Sequence, residues 1–314
     1  RMVFVNACAP LNADQGNWYY GQRGGMNFSS GAPVYNNASY VNYNYIDEAD
    51  AVQSNSQGNL LFYTNGTEVW DVNHANINVG NLLKSNGSAH RGALIVPNPA
   101  NANQYYLFTK DQGHYTVGMT NTEPDSNGFR YSIVQINAGL AATTASWNVP
   151  ITPPLALGYQ LGHNSAMMGG EGITAVKSCN GYWILTTGKK GNQGYITIFS
   201  LTSAGLAFHS ETLSPFATSQ QSLEASRDGL KIAVGSGTNG SLEASGLAVF
   251  DFNPYTGALS SQLLLNNFKT YGFSFSPDSK LLYCSGWSSS NLYQYDLTDP
   301  APATSGIIVS NSAS

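Results

Sequence analysis

The residues of this chain that could do chemistry are few and widely spaced. His90 and Arg91 are adjacent, and His163 and Glu171 stand further along. These are the types that acid–base or metal-assisted hydrolysis uses, but no fixed spacing ties them together, and there are five histidines in 314 residues. No nucleophile elbow, paired-histidine zinc helix, phosphate loop or dinucleotide glycine motif is present. Two short stretches crowd carboxylates and amides: DEAD at 47–50 and EPDSNG at 123–128. Asp47, Asp50 and Asp125 are the candidate Ca²⁺ ligands, oxygen donors of the kind that ion prefers. Asp, Asn and Gly are equally turn formers. Ca²⁺ is the one metal the sequence offers, and no cofactor is implied.

The background around these residues is unusual. Charged residues make up 10% of the chain, against about 25% in an average soluble domain. Asn, Ser, Thr, Gly and Tyr take their place, so the surface is polar without being charged. Such a surface suits extracellular, cell-surface or particle-surface proteins. The net charge is −5 and no Lys/Arg cluster exists, which excludes the footprint of a nucleic-acid binder. No run of about 18 apolar residues could span a membrane as a helix. The opening MVFVNACAP is too short for a secretion signal and reads as a strand. Cys8, Cys179 and Cys284 fit no zinc spacing, and three thiols allow at most one internal disulfide.

The elements that must position these residues repeat. LLFYTNGTEVWDV (60–72), YWILTTGKKGNQGYITIFSL (182–201), KIAVGSGTNGSLEASGLAVFDF (231–252) and KLLYCSGWSSSNLYQYDL (280–297) are each a run, a turn and a second run. A fifth copy begins at QYYLFTK (104–110) and is completed by FRYSIVQI (129–136) after an insertion. Runs rich in β-branched and aromatic residues, bounded by Gly, Asn, Asp and Ser, are strands and hairpins. Each pair follows another strand and a tight turn, such as SRDGL and SPDSK, with Asp228 and Asp278 in matching places. A fourth strand closes most units. Four antiparallel strands per repeat, stacked because one blade cannot cover its own faces, make an all-β propeller. The sequence predicts one propeller domain over 1–314 with six or seven four-stranded blades, seven slightly favoured. Residues 1–45 form a partial blade or ring closure, and the others span about 46–87, 88–150, 165–215, 218–266 and 268–314. Gly92, Gly172 and Gly272 each precede an innermost strand, where backbones crowd the axis and a missing Cβ helps. Tyr19, Tyr20, Tyr40, Tyr43 and Tyr45 crowd the N-terminal region and are expected to form either a contact surface or alternating strand faces.

Several stretches resemble a known family in its order: WYYGQRGGMNFSSGAPV (18–34), GNLLFYTNGTEVWDVNH (58–74), ALIVPNPANANQYYLFT (93–109), GITAVKSCNGYWILTT (172–187) and YGFSFSPDSKLLYCSGW (271–287). The chain resembles the N-terminal β-propeller domain of large secreted or surface proteins of gliding bacteria, within the lactonase-like and WD-type propellers. Such proteins continue into further modules, so the resemblance leads one to expect either an excised fragment or a stand-alone relative. It implies extracellular binding rather than a reaction.

Propeller ligands meet the loops that enter the innermost strands. Those positions carry Glu48, Asp50, His90, Arg91, Glu171, Gln221 and Tyr271, a mixed ring suited to a polar ligand such as a sugar. The sequence therefore points first to a non-catalytic extracellular or particle-surface module for binding, adhesion and assembly, with a glycan or a protein as its partner. The alternatives are a bacteriophage virion or receptor-binding protein, and a lactonase-like hydrolase using His90, Arg91, His163 and Glu171 in the channel.

Overall fold

The computed structural model describes residues 17–20, 24–27, 32–36, 48–111, 127–158, 170–190, 193–216, 221–237, 245–286 and 290–311. These residues form six antiparallel sheets in chain order. Blade 1 is β1 (Asn17–Tyr20), β2 (Gly24–Asn27) and β3 (Val34–Asn36). Blade 2 is β4 (Ala51–Ser54), β5 (Leu60–Thr64) and β6 (Val69–Asp71). Blade 3 holds β7 (Ala93–Pro97), β8 (Gln104–Lys110), β9 (Phe129–Asn137), β10 (Leu140–Thr143) and β11 (Val149–Pro150), the last two sharing the outer edge of β9. Blade 4 is β12 (Ile173–Ser178), β13 (Gly181–Lys190), β14 (Gln193–Thr202) and β15 (Gly205–Leu213). Blade 5 is β16 (Gln221–Ala225), β17 (Lys231–Ser236), β18 (Gly246–Asn253) and β19 (Ala258–Asn266). Blade 6 is β20 (Thr270–Phe275), β21 (Leu281–Gly286), β22 (Asn291–Asp296) and β23 (Ile307–Asn311).

The fold is an all-β propeller, and its blade count corrects the preference for seven. The N-terminal strands make one complete sheet of their own, and no seventh sheet exists among the described residues. MVFVNAC, the stretch that could have supplied another strand, lies outside them.

Period-two patterning explains the stacking, because successive side chains leave a strand on opposite faces. In β13, Ile184 packs with Phe108, Phe129 and Phe199 toward blade 3, while Leu185 packs with Leu223 and Val234 toward blade 5. In β17, Ile232 and Val234 face blade 4 and Ala233 faces blade 6. Five apolar clusters fill the five spaces between consecutive blades, from Tyr19 with Tyr63 and Trp70 between blades 1 and 2 to Phe273 with Val249 and Leu282 between blades 5 and 6. Each buried large side chain contributes about 1.5–3 kcal/mol. Tyr19 is thus a core residue, its ring stacked 4.7 Å from Tyr63, rather than part of a contact surface. Tyr40, Tyr43 and Tyr45 lie outside the described residues.

The outer position of blade 2 is filled without a strand. The buried Asn78 accepts the backbone N–H of Val69 at 2.9 Å and donates to Thr67 O at 3.0 Å, taking the place of a ladder partner. The twin turns share one construction. Ser226 Oγ donates to Asp228 Oδ1 at 2.6 Å and accepts from Lys231 N at 2.9 Å, and Ser276 repeats both with Asp278 and Leu281 at the same distances. Gly172 answers the crowding expected of it: a Cβ there would lie 2.5 Å from Leu223 N on the next inner strand. A Cβ at Gly272 would meet only the Ser285 hydroxyl at 3.1 Å, so that glycine is not forced by a neighbouring backbone. Of the cysteines, Cys284 is buried with its thiol pushed up to about 12 by desolvation, and Cys179 is exposed. No helix among the described residues is long and apolar enough to cross a membrane.

Candidate functional site

The inner strands all begin at one end of the channel, so the residues just ahead of them share a mouth. Three such segments are tied together by backbone. Glu48 N donates to Gly87 O at 2.7 Å, Arg91 N donates to Glu48 O at 3.1 Å, and Ile173 N donates to Arg91 O at 3.3 Å. Arg91 takes a left-handed backbone conformation, φ 57°, to make this junction, a conformation a non-glycine residue adopts only when its surroundings require it.

On that frame four predicted residues come together. His90 N donates to Glu171 Oε2 at 3.0 Å. The His90 ring stacks on Tyr271 with centroids 4.5 Å apart and planes 17° from parallel. The Tyr271 hydroxyl donates to Glu48 Oε1. Glu48 and His90 come from the segments ahead of blades 2 and 3, Glu171 from the one ahead of blade 4, and Tyr271 from the start of blade 6.

The other predicted residues serve differently. Gln221 is fully buried; its backbone carbonyl accepts Glu171 N and Gly172 N, both at 3.0 Å, and its Oε1 accepts from Ser214 Oγ at 2.6 Å. Arg91 sends its guanidinium across the axis. It donates to Glu224 Oε2 at 2.6 Å in blade 5 and to Phe273 O in blade 6, and lies 4.9 Å from the Phe273 ring. Asp50 stands one residue before β4, half-buried. His163, Asp47 and Asp125 lie outside the described residues. Among the described residues no three acidic, His or Cys side chains are grouped as a metal cage.

Two residues join the site that the sequence pattern alone did not single out. Lys110 ends β8 almost fully buried, its Nζ donating to Thr186 Oγ1 at 2.8 Å and to Thr187 O. A lysine closing a run of buried strand residues was the available signal. Glu224, the partner of Arg91, sits within the LEASRDGL stretch and had none.

Burial governs the electrostatics. Desolvation pushes the Glu171 carboxyl up to about 7; the His90 N–H opposes this and Glu48 adds to it. Desolvation, helped by the Arg91 charge, pulls His90 down to about 3, so its imidazole is neutral. Lys110 is drawn down to about 7 by burial against the pull of Glu171. Burial and the Glu48 carboxylate raise the Tyr271 phenol above its ordinary range. Perturbed acids and bases clustered together mark a functional-site candidate. An open groove of about 660 Å³ at the opposite end, between blades 3 and 4, is lined by Pro99, Lys177, Tyr182 and Thr202 among others and holds none of these groups.

No family model and no curated protein matches the chain. Solved structures do. The β-propeller domain of Cps50 (Swd1) from Myceliophteria thermophila aligns at 12% identity with a TM-score of 0.50, covering 91% of this chain and 78% of that one. A functionally unknown protein from Desulfotomaculum acetoxidans gives 14% and 0.49, covering 96% and 83%. A candidate 6-phosphogluconolactonase from Bacteroides uniformis gives 12% and 0.47, covering 92% and 78%. At these identities the likeness is one of fold.

Proposed function

We propose that the chain is a non-catalytic binding module whose channel mouth takes a polar ligand of glycan type, at an extracellular or particle surface. The observation that carries this reading is the convergence of Glu48, His90, Glu171 and Tyr271 from four separate segments. An aromatic–imidazole stack flanked by carboxyls offers a flat face and hydrogen-bonding groups, which is what a sugar ring needs. The surface setting rests on the low charge content. The experiment is a glycan array probed with the purified chain. At least one glycan should be retained and then lost in Tyr271→Ala; retention of none sinks the reading.

One observation favours a second reading, a hydrolase of the channel. A carboxyl raised to about 7 is the kind of group that exchanges protons at neutral pH. Turnover of aldonolactones that disappears in Glu171→Gln would support the hydrolase, and absence of turnover would leave the binding module.

A further inference from the structure

The groove at the end opposite the mouth has a volume of about 660 Å³, within the range of about 300–1,000 Å³ usual for small-ligand sites. It is built by the Cys179–Asn180 hairpin between β12 and β13, the Thr202–Gly205 turn between β14 and β15, and the Pro99 turn of blade 3. Gly181 lets the hairpin sit this close, since a Cβ there would lie 2.0 Å from Leu201 O and 3.1 Å from Pro99 Cγ. Lys177 and Tyr182 are cross-strand partners, and Tyr182 packs against the apolar cluster between blades 3 and 4. Elsewhere the turns turn their polar side chains onto their own backbone. Asn55 accepts the N–H two residues on at 3.0 Å, and Asn98 and Asn253 do so at 2.9 Å. In the groove, the side chains of Lys177, Ser178, Asn180 and Ser203 have no hydrogen-bond or ion-pair partner among the described residues. The Thr202 hydroxyl accepts Ala204 N at 3.2 Å and keeps its own proton to donate. No acidic residue lines the groove. Between residues 129 and 210 the sequence has one, Glu171, and it lies at the mouth.

We propose that this groove is a second binding site, separate from the mouth, and that it takes a uronic acid. The Lys177 ammonium meets the carboxylate, in a wall whose other polar groups are neutral. One ammonium balances the single charge of a carboxylate rather than the nearly two charges of a phosphate ester. Ser178, Asn180, Thr202 and Ser203 serve the ring hydroxyls, and Tyr182 and Pro99 take the C–H surface of the sugar. A neutral sugar leaves the ammonium without a partner, so the groove selects the acid over its uncharged parent.

The test is saturation-transfer NMR with glucuronate and galacturonate as acidic probes and glucose and galactose as their neutral parents. At least one acid should bind about tenfold tighter than its parent, the value of a charge-assisted hydrogen bond, and added salt should weaken it. Lys177→Gln should cost about tenfold in affinity by the same measure. Ser203→Asp, which sets a like charge on an exposed turn, should abolish binding. Cys179 reports the place. It is exposed at the tip of the hairpin, so saturating acid should slow its alkylation by iodoacetamide about twofold or more, read by peptide mass spectrometry. Binding of neither acid, or equal binding of acid and parent, overturns the proposal. Binding that survives Lys177→Gln unchanged, or that leaves Cys179 alkylation unaltered, puts the acid elsewhere on the chain and overturns it too. Protection by acetate as strong as by the uronates overturns the sugar half. None of these residues lies at the mouth, so failure here leaves the proposed role of the mouth standing.

Discussion

At the scale of single residues, the mouth buries Glu171 and Lys110 and half-buries His90, and folding stability must register it. Glu171 has its folded pKa raised to about 7 from 4.5. Its contribution to stability is therefore fully present below pH 4.5 and is lost as pH rises through about 7. Lys110 has its folded pKa lowered to about 7 from 10.5, so its contribution is present above pH 10.5 and is lost as pH falls toward 7. His90, lowered from 6.5 to about 3, loses its contribution as pH falls through that window. The Glu171 share can be isolated in urea titrations of wild type and Glu171→Gln at pH 5 and pH 8. Wild type should lose on the order of 3 kcal/mol relative to the variant across that range, since each tenfold difference in proton affinity between the folded and unfolded chain is worth about 1.4 kcal/mol. A difference between the two proteins that does not change with pH would contradict the buried-acid account. Much of this cluster could be read from the chain, since the residue just ahead of an inner strand must lie at the mouth. Which charges stay available could not, because Arg91 and Glu224 meet only once blades 3 and 5 are placed across an axis.

At the scale of elements, the repeat is written in its turns. The Ser-x-Asp construction at Ser226 and Ser276 closes the inner hairpins of blades 5 and 6 with the same pair of bonds. Ser226→Ala removes the acceptor of Lys231 N and the donor to Asp228, and should cost about 1–2 kcal/mol. Ser276→Ala should cost the same within about 0.5 kcal/mol, because its bonds are the same. Thermal unfolding midpoints check both, and a clear inequality would show that the two turns are alike in geometry but not in energy. Blades 4 to 6 were legible for this reason: every strand alternates and every turn carries its own punctuation. Blade 2 was legible in its first three strands but not beyond them, because its outer position is filled by irregular chain, in which the Ile77 N–H and the Asn78 amide bond to β6 without the alternation of a strand. The count of seven overshot because the short N-terminal strands read as fragments, whereas the Tyr19–Tyr63 stack shows them making a blade of their own.

At the scale of the whole molecule, solenoid repeats contact only their neighbours and can unfold piecemeal. Here Arg91 binds residues two and three blades away. Arg91→Met should lower stability by about 1–2 kcal/mol by leaving the Glu224 carboxylate without its cation, and should broaden the unfolding transition. Calorimetry checks it: the van't Hoff enthalpy should fall below the calorimetric one in the variant, and an unbroadened transition would show that the blades are coupled by their apolar contacts alone. The same side chain acts as a gauge. It is rooted in blade 3 and grips blades 5 and 6, so the bore can be no wider than one arginine is long. Duplicating a blade, the ordinary way repeat proteins grow, would carry Glu224 and Phe273 out of its reach and strand a guanidinium in the widened bore. Growth of this ring by one unit therefore has to begin with the loss of Arg91.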